Sequence, residues 1–170
     1  MQDQFRVEAE ATASFIEEFS NEAFADKYAE GPTRVQFKSK DPRGWLEFRN
    51  QLAEHSIRGS VLTMRGVQAR RPSLYDLEDQ MRQLTVPTLI LTGDEDEPCL
   101  IPGVFMKRLI RSSALITLAN AGHTINLEVP DEFNQAVDQF LTQVRSGRWP
   151  VREAATEAGG SILGMNEDQS

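Results

Sequence analysis

The chain has 170 residues, 39% of them apolar, a length and composition that suit one domain with an ordinary core. Its net charge of −8 disfavours a nucleic-acid or anionic-membrane partner, and a single cysteine excludes an internal disulfide framework. No apolar run is long enough to span a membrane and no basic-then-apolar leader opens the chain, so a soluble protein of a reducing, cytoplasmic compartment is expected.

Residues 1–30 carry eight acidic and two basic side chains, which read as a solvated helix face. A helix is predicted over residues 8–29, with Phe15, Ile16, Phe19, Ala23 and Phe24 on one side and Glu17, Glu18 and Glu22 on the other. Gly31-Pro32 stops it. Asp41-Pro42 opens a second helix, an N-cap carboxylate before a first-turn proline, and Trp45, Phe48 and Leu52 stripe one face. His55, at its end, reads as a surface residue favoured by the helix dipole. A third short piece holds Val61, Leu62 and Met64 and ends near Val67. Residues 1–69 are therefore short amphipathic helices without a central strand.

Arg70-Arg71-Pro72 breaks this pattern, and Ser73-x-x-Asp76 is a capping-box variant opening a helix with Leu74, Leu77, Met81 and Leu84 on one face. Val86 to Thr92 is a short β-branched, apolar run ending at Gly93, and Ala114 to Leu118 is another. Between them Ile101–Ile110 is predicted to be a crossover helix burying Ile101, Val104, Phe105 and Leu109. Strand, helix, strand is the order of a parallel pair, whose carboxyl ends share one edge. Asp96, in Gly93-Asp94-Glu95-Asp96, and His123, in Ala121-Gly122-His123, should therefore meet. A carboxylate holding one imidazole nitrogen leaves the other to act as a general base.

A calcium loop is excluded as a reading of Asp94-x-Asp96, because Glu97-Pro98 follows where such a loop needs an oxygen ligand and glycine. Asp94 is the next candidate for the acid. Cys99 lacks an electropositive neighbour in sequence and reads as a small buried apolar side chain, not a nucleophile. The last helix begins at Pro130, with Asp131 and Glu132 in its first turn, and Gly147 ends it. From Arg148 onward a mobile tail is expected, in which Ile162, Leu163 and Met165 have no obvious docking place.

The segment Gly93-x-x-Asp96 … Gly122-His123 … Glu128-x-Pro130 resembles the C-terminal end of an α/β-hydrolase, in which a strand–turn supplies the catalytic acid and a later Gly-His the base. The resemblance implies an α/β fold class, with residues 1–72 a helical cap or lid, 73–146 the C-terminal part of the core and 147–170 the tail. It implies Asp96 and His123 as catalytic residues, and Trp45, Phe48 and Met64 as substrate-pocket walls, although aromatic stripes at helical spacing more often pack a core. Neither a cofactor nor a metal is implied.

That family carries its nucleophile, usually Ser in G-x-S-x-G, before the acid and the histidine. No G-x-S-x-G occurs in these 170 residues; Gly159-Gly160-Ser161-Ile162-Leu163 ends in Leu and follows the histidine. The resemblance thus covers a cap and C-terminal core without the nucleophile-bearing half. The expected function is ester-type hydrolysis of a small acyl substrate by a Ser-Asp-His triad of which only two members are present, inactive alone. A non-catalytic binding or oligomerisation module with the same architecture is the alternative. Expected partners are a small-molecule substrate and either the missing half or a second copy. Two parallel strands do not bury both faces. The isolated chain is therefore predicted to be marginally stable, aggregation-prone or dimeric, and a cooperative thermal transition of a monomer, followed by circular dichroism, would count against this.

Overall fold

Two strands set the frame. In the computed structural model, which describes residues 2–153, β1 (Thr88–Gly93) and β2 (Ser113–Leu118) pair in parallel, Thr88 opposite Ser113 and Gly93 opposite Leu118. The first strand starts two residues later than its apolar run suggests. Pro87 has no N–H to donate, and the Val86 carbonyl turns aside to accept from the Thr88 and Ser112 hydroxyls at 2.9 and 2.8 Å.

Helix α7 (Glu97–Leu109) makes the crossover. It begins four residues earlier than expected, directly after Asp96, with Pro98 in its first turn. Its buried side also differs from the expected stripe. Ile101 and Val104 are exposed, whereas Gly103 and Leu109 are buried. The reason is close approach: a Cβ on Gly103 would lie 3.1 Å from the Thr92 methyl, so the helix settles on the sheet along its glycine.

The amino-terminal segment is helical throughout, with α1 (Gln2–Glu18), α2 (Asn21–Ala29), α3 (Val35–Lys40), α4 (Pro42–Ala53) and α5 (Ile57–Thr63) running into a π-helical turn at Met64–Gln68. The single helix expected over 8–29 is two, because the Ser20 hydroxyl accepts from the Ala23 N–H and caps a new start. Phe19, left in the break, is exposed, and the buried stripe of α1 is Ala9, Ala13 and Ile16. Asp41 caps α4 as expected, accepting from the Gly44 N–H at 2.9 Å. The acidic face is partly paired: Arg65 bonds Glu10 and Glu17, and Arg49 bonds Asp26.

Ser73 and Asp76 form the expected capping box, opening a 3-10 turn (Leu74–Leu77) that continues as α6 (Glu78–Arg82); Leu84 lies beyond it and is exposed. After β2 come a short α8 (Ile125–Glu128) and α9 (Pro130–Arg145). Residues 149–153 correct the expectation of a loose tail. The Trp149 indole donates to the Ser112 carbonyl at 2.6 Å and meets Phe140 edge-on, and the Arg152 guanidinium donates to the Lys107 carbonyl. Ile162, Leu163 and Met165 lie outside the described residues.

The apolar interior is divided. One cluster joins Ala13, Ile16 and Val61, a second Met81, Leu109 and Ile110, and a third Leu118, Ala121 and Ile125. Both strands are only partly covered: Leu89, Leu91, Leu115 and Ile116 are half-exposed, although parallel strands normally bury both faces. The sheet has two strands, so each leaves one edge without a partner among the described residues. No helix among those residues is long and apolar enough to cross a membrane.

Gly93 closes β1 under the loop after β2, where a Cβ would stand 2.1 Å from the Ala121 carbonyl oxygen and 2.4 Å from that of Gly122. Both obstacles are backbone. Gly93→Ala is expected to cost about 3 kcal/mol by overpacking. Gly66→Ala, in the π-helical turn with nothing within 4 Å, should instead gain about 0.5 kcal/mol. Urea-unfolding midpoints of the two variants check the contrast.

Candidate functional site

The turn after β1 is sewn to the end of β2. Asp94 N–H donates to the Leu118 carbonyl at 3.0 Å and Glu95 N–H to that of Ala121 at 2.9 Å. In return, the Asp94 carboxylate accepts from the Ala121 N–H at 3.0 Å. The backbone N–H groups of Ala121 and then Asn120 hold the Asp94 carboxyl below its usual range. Asn120 takes a left-handed φ of 53°, which asparagine tolerates, and the chain turns back toward the sheet edge.

These turns bring Asp96 and His123 together. His123 Nδ1 lies 2.9 Å from Asp96 Oδ2. Asp96 is buried, at 6% exposure, while the His123 side chain is 38% exposed. Nε2 of His123 makes no hydrogen bond among the described residues. The other carboxylate oxygen, Asp96 Oδ1, is buried with no hydrogen-bond partner among them.

Cys99 sits in the first turn of α7 with its Sγ 3.8 Å from His123 Nδ1. Burial, then hydrogen bonding to and repulsion by the Asp96 carboxylate, push its thiol up to about 11. It stays protonated near neutrality and is no ready nucleophile. Its place beside the histidine was not legible from sequence, where it reads only as a small buried group.

Glu128 fixes the histidine from below. Its buried carboxylate accepts from the Gly122 N–H at 2.7 Å, the Thr124 N–H at 3.0 Å and the Thr124 hydroxyl at 2.8 Å, gripping the backbone on both sides of His123. Burial alone would raise its pKa, but the donors at Gly122 and Thr124, with Lys40, lower it below the usual value. Lys40 on α3 lies 3.3 Å from Glu128 and also donates to the Asn120 carbonyl. Gln36, one turn earlier, donates to Glu95 at 2.9 Å. One face of α3 thus holds both loops. The sequence signal for Glu128 is its helical spacing, four residues after Thr124.

Other sequence-derived candidates lie elsewhere. Trp45 donates to the Ala29 carbonyl at 2.7 Å, and Phe48 packs with Tyr28 and Phe37 inside the helical segment. Met64 packs against the Ala13–Ile16–Val61 cluster and borders a cleft with His55. The structure does not bring these three to the Asp96–His123 pair. A larger groove of about 650 Å³ runs between Phe5, Arg71, Leu74, Tyr75, Pro98 and Met106. Neither Asp96 nor His123 lines it.

No protein-family model matches the chain. It is 31% identical over 115 residues to the proline iminopeptidase of Saccharolobus solfataricus, covering 68% of this chain and 34% of that protein. It is 33% identical over 105 residues to the AB hydrolase superfamily protein YisY of Bacillus subtilis, covering 60% of this chain and 36% of that one. Among solved structures, MenH from S. aureus superposes with a TM-score of 0.79 at 25% identity, over 85% of this chain and 53% of that chain. The chain therefore spans about a third of the length of these curated relatives and about half of the solved one.

Glu128→Ala should cost about 2–3 kcal/mol, because it strips the acceptor from the Gly122 and Thr124 N–H groups. The lowered pKa fixes the sign of the pH effect. The unfolded chain protonates Glu128 before the folded chain does, so its contribution is full above the ordinary glutamate value and lost as pH falls through the lowered one. Urea unfolding of both proteins near neutrality and at about pH 3 should show the gap between them shrinking in acid.

Proposed function

This chain belongs to the α/β-hydrolase superfamily, and we propose that Asp96 and His123 are the acid and base of its hydrolytic site, with residues 1–72 as the lid. The reading rests on one observation, the 2.9 Å bond between a buried carboxylate and an exposed imidazole at the shared carboxyl edge of two parallel strands. Asp96 holds the Nδ1–H tautomer and stabilises the imidazolium when it forms, and Nε2 takes the proton of the attacking group. Ester-type cleavage of a small acyl substrate is the proposed reaction, through a serine that attacks the carbonyl carbon.

The serine and the oxyanion donors come, in this reading, from residues outside these 170. Three observations support that. No G-x-S-x-G is present. Among the described residues the sheet has two strands with half-covered faces. Among the described residues the apolar interior is split into three small clusters, where a domain ordinarily builds one. A larger sheet docked against the unpaired edge would cover those faces and bring the nucleophile to His123. The chain alone is then inactive.

A fluorophosphonate serine probe tests this. Labelling is expected only when a G-x-S-x-G-bearing amino-terminal half from a relative is mixed with this chain. It should fall about 10⁴-fold in His123→Ala. No labelling under either condition would favour a non-catalytic module that keeps the architecture.

A further inference from the structure

We propose that Asp96, Cys99 and His123 together form a binding site for a zinc-class divalent cation, taking a carboxylate oxygen, the thiolate sulfur and the imidazole Nδ1 as ligands. One ligand atom from each residue lies within 4.8 Å of the other two. The Cys99 Sγ to His123 Nδ1 separation of 3.8 Å is long for a useful hydrogen bond. It suits the edge of a coordination tetrahedron: bonds of about 2.3 Å to sulfur and about 2.1 Å to nitrogen put such atoms about 3.6 Å apart. The Asp96–His123 separation of 2.9 Å must open by a few tenths of an ångström, which the exposed ring can provide.

A second observation points to the same ligand. Asp96 Oδ1 is buried and has no hydrogen-bond partner among the described residues. A buried acceptor without a donor carries a penalty, and a cation beside the carboxylate relieves it. Sulfur, imidazole nitrogen and one carboxylate oxygen are a mixed set that favours zinc over magnesium or calcium, which want oxygen throughout. The exposed histidine leaves an entry path and room for water in the fourth position. On binding, the Cys99 proton leaves to solvent and the imidazole proton moves to Nε2, their places taken by the ion's charge.

The cation occupies the nitrogen that Asp96 otherwise holds, so the metal-loaded and the Asp96–His123 bonded forms exclude each other. If that pair is the hydrolytic acid and base, as read above, zinc is a reversible off-switch; that consequence rests on the reading, and the binding does not.

Cys99 is the sole thiol of the chain, so its alkylation by N-ethylmaleimide reports this site alone. Zinc is titrated into the full chain by calorimetry, with alkylation rates measured in parallel and magnesium and calcium as comparisons. One zinc per chain is expected, with alkylation slowed at least about tenfold by zinc and not by the other two ions. Cys99→Ser and His123→Ala should each weaken binding at least about tenfold. Absence of zinc binding, or zinc bound while Cys99 alkylates at its metal-free rate, would overturn the proposal, and the alkylation readout needs no variant to fold. Serine-probe labelling without zinc protection defeats this inference alone, and zinc protection without labelling defeats the hydrolytic reading alone.

Discussion

The parallel register of β1 and β2, with Gly93 opposite Leu118, is the constraint from which the site follows. It ends both strands at one level, so the next residues of each emerge side by side. The gap between the two turns is then closed by backbone bonds from Asp94 and Glu95 to Leu118 and Ala121. Gly93 must lack a side chain for this to happen. Asp96 and His123 are neighbours because the loops that carry them have nowhere else to go.

Position alone does not orient an imidazole, and here a second carboxylate does part of that work. Asp96 binds the ring, while Glu128 binds the peptide groups before and after it. Lys40 and Gln36 tie the same loops to α3. The helical segment is therefore tied to the loops at the sheet edge. A displacement of α3 would be felt by the backbone of His123 through the Lys40–Glu128 pair, a physical route from the helical segment to the Asp96–His123 pair.

Much of this was legible in the residues. The two apolar runs, the Gly-x-x-Asp turn and the Gly-His loop are local signals, and together with the handedness of crossovers they place the pair. The caps at Asp41 and Ser73 are local signals of the same kind. What escaped was set by long-range packing. The buried face of α7 turns on Gly103, whose value is the absence of a side chain, and hydrophobic periodicity does not register an absence. The break at Ser20 interrupts a good apolar stripe. Trp45 and Phe48 point into their own helical neighbours, a choice that helical spacing leaves open. The docking of Trp149 depends on a carbonyl at Ser112, 37 residues away.

The central claim is that a buried carboxylate holds His123 in one tautomer, and nitrogen-detected NMR of the imidazole rings tests it directly. The chain has two histidines, so His55, exposed and remote, is the internal comparison. The account predicts that His123 is fixed as the Nδ1–H form with a downfield, exchange-protected proton that disappears in Asp96→Ala, while His55 averages between tautomers. A His123 ring that averages as His55 does, unchanged by Asp96→Ala, would contradict it.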